Sequence, residues 1–240
     1  MKKLFLFAMI GLLTLNSCSF MGGKRIRGNG IIKTETRSAG TYNGVDVSGA
    51  LDVYVKQDSA YSVLIETDAN LLEYIVVENS NGILKIHQRE GTNLKSTRSI
   101  KVYVGGPSLK RFEASGACDI VSENVITSSE PVSINLSGAS SANMELKAPK
   151  VGADLSGAGT VTLKGETKEF RVDGSGSSNI NCFELMSETT EVGLSGAGDA
   201  EVFASVKLDV HVSGAADVKY KGNATVSQQI SGAGSVKKAE

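Results

Sequence analysis

The chain has 240 residues, with 27 glycines, three prolines, no tryptophan and a formal net charge of −1. Abundant glycine with little proline excludes a collagen-like chain, and the near-neutral charge with scattered basic residues excludes a nucleic-acid-binding domain built on a basic patch. The length fits one extended domain or two small ones, and the short runs of valine and isoleucine favour β structure.

The first seventeen residues have the features of an export signal. Two lysines precede an apolar stretch, residues 4–15, which is too short to count on as a membrane span. The tetrapeptide Leu-Asn-Ser-Cys follows at residues 15–18 and has the pattern of a lipobox. We therefore predict a signal peptide over residues 1–17 and acylation, with palmitate among the acyl chains, at Cys18. An ordinary secretory signal with an incidental cysteine is the alternative.

The next segment, residues 18–30, is rich in glycine and basic side chains, which predicts a lipidated tether. Its Lys24, Arg25 and Arg27 would add a weak attraction to anionic headgroups. Loss of residues 1–17 removes two lysines and leaves 23 basic against 26 acidic residues, a net charge of −3. The anchor predicts a place at the bacterial outer membrane, facing the periplasm or the cell surface. The segment has no acidic run, which favours the periplasmic side.

Strand-like runs follow in residues 31–112, which must either extend or cap the repeat that comes after them. The runs are 45–55, 61–66, 74–78, 83–88 and 100–104. The dipeptide Asn81-Gly82 predicts a two-residue hairpin turn between two of these runs. Residues 70–73 predict one helical turn.

From residue 112 on, the tripeptide Ser-Gly-Ala or a near variant recurs every 18 to 22 residues. The copies begin at Ser115, Ser137, Ser156, Ser175, Ser195, Ser213 and Ser231, with an isolated earlier copy at Ser48. In each copy small residues follow the glycine, then come a polar and an apolar residue. This alternation around a tight corner predicts short strands with one buried face, stacked about 4.8 Å apart in parallel ladders.

Residues 31–240 are therefore predicted to be one all-β domain, a parallel β-helix (β-solenoid) of short coils of about 18–22 residues. The repeated serine hydroxyls should bond along the ladder or to the backbone of the corner. The charged end at residues 237–240 should discourage pairing at the open edge.

These motifs resemble the family described as "putative auto-transporter adhesin, head GIN domain". The iterated Leu-Ser-Gly-Ala-Gly segments (154–161, 193–200 and 230–236) carry the resemblance, and so do the upstream block 45–55 and the segment 81–86 in the same order. The resemblance covers about residues 33–237. It implies a single-stranded right-handed parallel β-helix and an envelope lipoprotein, and it supplies no catalytic residues.

Two cysteines lie within the repeat. Cys118 and Cys182 belong to coils three steps apart, hence about 14 Å from each other, which is beyond the roughly 7 Å that a disulfide spans between Cα atoms. We predict that both are free and fill the interior. His87 and His211 lie on different strands without acidic or cysteine neighbours at ligand spacing, so we predict solvated strand residues rather than metal ligands or catalytic groups.

One outward position of the repeat carries Asp119, Asp199 and Asp217. The last two belong to consecutive coils, so their carboxylates could lie about 5 Å apart and attract a cation such as Ca²⁺. A plain exposed corner, where aspartate suits a turn, is the alternative and the one we favour. We predict no catalytic, cofactor-binding or metal-binding residues.

The sequence thus predicts a non-catalytic, adhesin-like module that presents a rigid surface to polymers or proteins. Its partners would be the membrane, through Cys18, and a glycan or a protein, but not nucleic acid. A polysaccharide-processing β-helix enzyme is an alternative, although coil lengths vary by only four residues and leave little loop material for a cleft. A self-assembling structural element is another, which leaves a homo-oligomer open.

Overall fold

The computed structural model of the chain describes residues 23–239, so the predicted signal peptide and Cys18 lie outside the described part. The described residues form twenty-one strands and one 3₁₀ turn, Leu72–Tyr74. The strands are β1 (Lys24–Arg27), β2 (Ile32–Arg37), β3 (Gly44–Gly49), β4 (Asp52–Gln57), β5 (Ser62–Asp68), β6 (Ile75–Ser80), β7 (Ile83–Gln88), β8 (Thr92–Lys95), β9 (Lys101–Gly106), β10 (Arg111–Gly116), β11 (Asp119–Ser122), β12 (Ile126–Thr127), β13 (Val132–Gly138), β14 (Ser141–Gly157), β15 (Thr160–Gly176), β16 (Asn179–Gly196), β17 (Asp199–Phe203), β18 (Lys207–Gly214), β19 (Asp217–Lys221), β20 (Thr225–Gly232) and β21 (Ser235–Lys238).

The predicted parallel β-helix is confirmed by two parallel faces that meet at the Ser-Gly corner. The first face stacks the strands that end in the repeated serine, in the order β7, β3, β10, β13, the second halves of β14, β15 and β16, then β18 and β20. The second face stacks the strands after the corner, in the order β9, β4, β11, the first halves of β14, β15 and β16, then β17, β19 and β21. Each serine therefore lies in register with the serine of the next coil.

The interior is packed with the apolar positions that the repeat predicts. The row three residues before the serine includes Phe112, Ile134 and Val172, all fully buried. The row one residue before it includes Leu136 and Leu155, which are almost fully buried. Alternation along a strand places both rows on the inner side, so one continuous apolar core runs along the solenoid.

The copy at Ser48 is not isolated but belongs to the first coil of the stack. β3 pairs residue by residue with β10, and β4 with β11, although about fifty residues separate these neighbouring coils in sequence. Residues 58–110 are thus an insertion, and they build the N-terminal cap. β2, β5 and β9 extend the second face with antiparallel pairings, and the β6–β7 hairpin extends the first.

The two turns predicted in this region are present. Asn81 and Gly82 have φ angles of 52° and 79° and join β6 to β7, as expected for the two central residues of a tight hairpin turn. The 3₁₀ turn overlaps the predicted helical turn at residues 70–73. At the opposite end, no other described strand pairs with the outer edge of β20, and Ile230 on this strand is 40% exposed.

Within the segment predicted as a tether, residues from Lys24 onward form a folded arm. β1 pairs in parallel with β8, and the Gly28 amide donates a hydrogen bond to the Lys95 carbonyl at 2.9 Å. Sequence reasoning missed this arm because β1 has no alternating apolar pattern and its partner lies far along the chain.

A buried carboxylate, Asp68, fixes the arm to the cap. It accepts hydrogen bonds from the Gly30 amide (2.6 Å) and from the Thr97 amide and hydroxyl (both 2.8 Å). Burial opposes charge on this carboxylate, but these hydrogen bonds outweigh burial and hold the pKa of Asp68 below its ordinary value. Acid that protonates Asp68 would therefore weaken the attachment of the arm. Among residues 23–239, no helix is long and apolar enough to cross a membrane.

Candidate functional site

A groove of about 1070 Å³ runs along the first face of the solenoid. We call it the serine groove. One row consists of the repeated serines from Ser115 to Ser231, and the other consists of the residues two positions before each serine. The second row comprises Asp46, Glu113, Asn135, Asp154, Asp173, Gly193, His211 and Gln229. Both rows point outward because each lies an odd number of positions from the buried rows.

The second row makes the N-terminal part of the groove acidic. The carboxylates of Asp46, Glu113 and Asp154 form no ion pair with any residue between 23 and 239. Asp173 is the exception, since its Oδ2 atom lies 2.8 Å from Nε of Arg171. The free carboxylates can accept hydrogen bonds from a ligand, and they would repel an anion.

The serine row supplies hydroxyl groups at a regular spacing. The Ser137 hydroxyl donates to the Ala114 carbonyl (3.5 Å) and the Ser175 hydroxyl to the Leu155 carbonyl (3.4 Å), so both bond along the ladder as predicted. Both bonds are long, and they are weak for that reason. The other serines of the row make no side-chain hydrogen bond within residues 23–239: Ser115, Ser156, Ser195, Ser213 and Ser231. These hydroxyls are available to donate to or accept from a ligand.

The floor between the two rows is closed and narrow. It consists of the edges of Leu136, Leu155 and Leu194, whose side chains are at most 4% exposed. Gly174 contributes no side chain to the floor, and the side chain of Leu194 occupies the space beside it. A Cβ atom at Gly174 would lie 2.8 Å from Leu194 Cδ2. The groove is therefore a shallow track whose two rims are polar and whose floor is apolar, most openly at Ile230, which is 40% exposed.

The two histidines lie apart, at different ends of the first face. His211 is exposed in the groove as predicted, with Nδ1 3.1 Å from Oε1 of Gln229. His87 lies half-buried on β7, with Nδ1 3.0 Å from the carbonyl oxygen of Gln88. The structure does not bring them together.

Cys118 and Cys182 are free and buried, which confirms the prediction from the repeat register. Burial raises the pKa of the Cys118 thiol to about 11 and that of the Cys182 thiol to about 12. Since the thiolate is the reactive form, both act as small apolar groups of the core.

The aspartates of the second face stand in one register row, as predicted. Asp199 pairs with Asp217 across consecutive coils. The Asp217 carboxylate accepts a hydrogen bond from the Ser235 hydroxyl at 2.7 Å, and the Asp119 carboxylate accepts one from Ser141. Between residues 23 and 239, no group of three histidine, cysteine or acidic residues is placed to hold a metal ion.

Sequence reasoning placed the lining residues correctly but did not identify the groove. The outward position of His211, shared with Glu113, Asn135, Asp154 and Asp173, was readable from the spacing to the serine. What the spacing alone did not show is that the two outward rows border one continuous depression.

Comparison with known proteins gives a family and a fold. The model of the family "Putative auto-transporter adhesin, head GIN domain" matches residues 41–224. A putative adhesin of Bacteroides fragilis has a similar structure, with a TM-score of 0.83 and 22% identity over 89% of this chain and 100% of its own. A putative lipid binding protein of Parabacteroides distasonis has a TM-score of 0.69 and 22% identity, over 90% of this chain and 100% of its own. A putative adhesin of the same species has a TM-score of 0.66 and 25% identity with the same coverage. No curated protein matches the sequence.

Proposed function

Because the chain belongs to the "putative auto-transporter adhesin, head GIN domain" family, we propose that it is a non-catalytic, adhesin-like binding module of the cell envelope. Its serine groove would hold an extended, uncharged, hydroxyl-rich polymer. The proposed ligands are linear polysaccharides. The observation that carries this proposal is the groove itself, in which the same two polar rows repeat once per coil.

A repeating polymer suits a repeating surface. Seven serines in register, from Ser115 to Ser231, span about 29 Å at the usual spacing of parallel strands. A sugar chain could make one set of hydrogen bonds per coil, with its hydroxyls donating to the carboxylates and pairing with the serines. Many weak contacts on one rigid lattice add up without any single deep pocket. The unpaired carboxylates disfavour anionic polymers.

The mode of attachment is part of the same proposal. The lipobox at residues 15–18 supports acylation of Cys18, which would tether the domain to the bacterial outer membrane. Acyl chains hold a protein to a bilayer by about 0.8 kcal/mol per buried CH₂ group. The domain would then present its groove to polymers of the envelope or to those outside the cell.

A polysaccharide-processing enzyme is the alternative function. The geometry favours binding, because the same short Ser-Gly corner recurs from Ser48 to Ser231 and no long loop leaves it between those coils to close over a bound sugar.

A bulky side chain in the groove should weaken polymer binding without disturbing the fold. In Ser175→Tyr, a large side chain would project into the middle of the groove, since Ser175 lines it and is exposed. Binding to an array of uncharged linear oligosaccharides should weaken at least about tenfold. Ser177→Tyr is the matched control, because Ser177 is also exposed but lies past the corner and outside the groove. It should bind within about twofold of the unmodified protein. Equal binding by the two variants would show that the polymer does not bind in the serine groove.

A further inference from the structure

The N-terminal end of the solenoid has a basic face that takes no part in the proposed binding of polymers. We propose that this face, formed by Arg25, Arg27 and Lys95 on the β1–β8 sheet, docks on an anionic lipid surface. It would hold the solenoid with its N-terminal cap against the membrane, and the serine groove would run away from the bilayer. This inference rests on one part of the proposed function, the acylation of Cys18.

The strand register places the three cations on one side of the small sheet. Ile26 lies opposite Leu94, which is only 9% exposed, so this side of β1 and β8 faces the core. The neighbouring positions alternate to the other side. There Arg27 lies opposite Lys95, and Arg25 lies two residues before Arg27. All three are exposed.

These cations have no partner among residues 23–239. Basic residues along the coils are paired, for example Lys147 with Glu166 at 3.1 Å and Lys150 with Glu169 at 3.0 Å. Arg25, Arg27 and Lys95 form no such pair in the described part of the chain.

Adjacent like charges on neighbouring strands are destabilising unless an anion lies between them. The Arg27–Lys95 pair is therefore best explained by an external anion.

The position of the face identifies a membrane as the source of that anion. Cys18 precedes Gly23, the first described residue, by only five positions, a contour length of at most about 18 Å. Asp68 and the pairing with β8 fix the arm that follows to the cap, so the start of the arm stays within about that distance of the anchor. The negative charge of lipid headgroups attracts basic residues that lie within about a Debye length of the bilayer surface. The short connection to Cys18 allows the basic face to come that close.

Vesicle binding tests the proposal independently of acylation and of the groove. The protein used is the chain from residue 18 onward with Cys18→Ser, and the probes are vesicles of phosphatidylcholine with and without phosphatidylglycerol. Binding should require phosphatidylglycerol. The triple variant Arg25→Gln, Arg27→Gln, Lys95→Gln should bind about 100-fold more weakly, since each cation near the surface contributes about fivefold.

The matched control removes three lysines at the other end of the solenoid that form no ion pair within residues 23–239, with Lys221→Gln, Lys237→Gln and Lys238→Gln. It should change binding by no more than about twofold. A version with Arg25→Lys and Arg27→Lys keeps the charge and should keep the binding, which separates charge from folding. Equal losses in both triple variants would overturn the proposal. So would binding to a soluble polyanion, dextran sulfate, without binding to vesicles. Retained oligosaccharide binding in the first triple variant would show that the groove works on its own.

Discussion

Gly157→Ala is expected to destabilise the solenoid by about 3 kcal/mol. Gly157 has a φ of +98°, a conformation that costs an L-residue about 1–2 kcal/mol. A Cβ atom at this position would also lie 2.6 Å from the carbonyl oxygen of Gly138 in the preceding coil. The backbone fixes the positions of both atoms, so the clash can be relieved only if the two coils move apart. The ladder of hydrogen bonds between the coils opposes that movement.

The control for this substitution lies in the same strand. Gly152 has ordinary extended backbone, and a Cβ there would meet nothing within 4 Å. Gly152→Ala should leave the stability unchanged or raise it by about 0.5 kcal/mol, because alanine lowers the entropy of the unfolded chain. Thermal unfolding followed by circular dichroism measures the difference, which should be about 6–12 °C in Tm between the two variants. Equal melting temperatures would contradict the account of the corner.

Cys18→Ser should move the protein from the membrane fraction to the soluble fraction and reduce metabolic labelling with palmitate to background. The thiol of Cys18 is the predicted site of acylation, and a serine hydroxyl does not replace it in a lipobox. Without acyl chains, only the weak attraction of the basic face would remain.

Cys118→Ser is the control for the loss of a thiol elsewhere in the chain. Serine already occupies the same corner position in two other coils, at Ser140 and Ser178, so this variant should fold and keep its label. Label that survives Cys18→Ser would place the acyl group elsewhere, and an unlabelled parent protein would end the lipoprotein proposal.

The sequence predicted those parts of the molecule that depend on local pattern. The serine rows, the buried apolar rows and the hairpin at Asn81-Gly82 follow from spacing and turn chemistry alone, and each is present. The iterated corner also gave the register that keeps Cys118 and Cys182 apart.

The parts that the sequence missed depend on contacts between distant residues. β1 finds its partner β8 some seventy residues along the chain, and neither strand alternates in a way that predicts pairing. Asp68 looks like any polar residue at a strand end, and only the structure shows it buried among donors from Gly30 and Thr97. The serine groove likewise exists only once outward positions from many coils are set side by side.

The central claim is that an uncharged polymer lies along the serine groove, and the length dependence of binding tests it most directly. Calorimetric titration with a series of uncharged linear oligosaccharides of increasing length should give an affinity that rises with each added sugar. It should level off once the chain spans the roughly 29 Å from Ser115 to Ser231. An affinity that is already complete for a disaccharide would indicate a small local pocket, and would contradict binding along the solenoid.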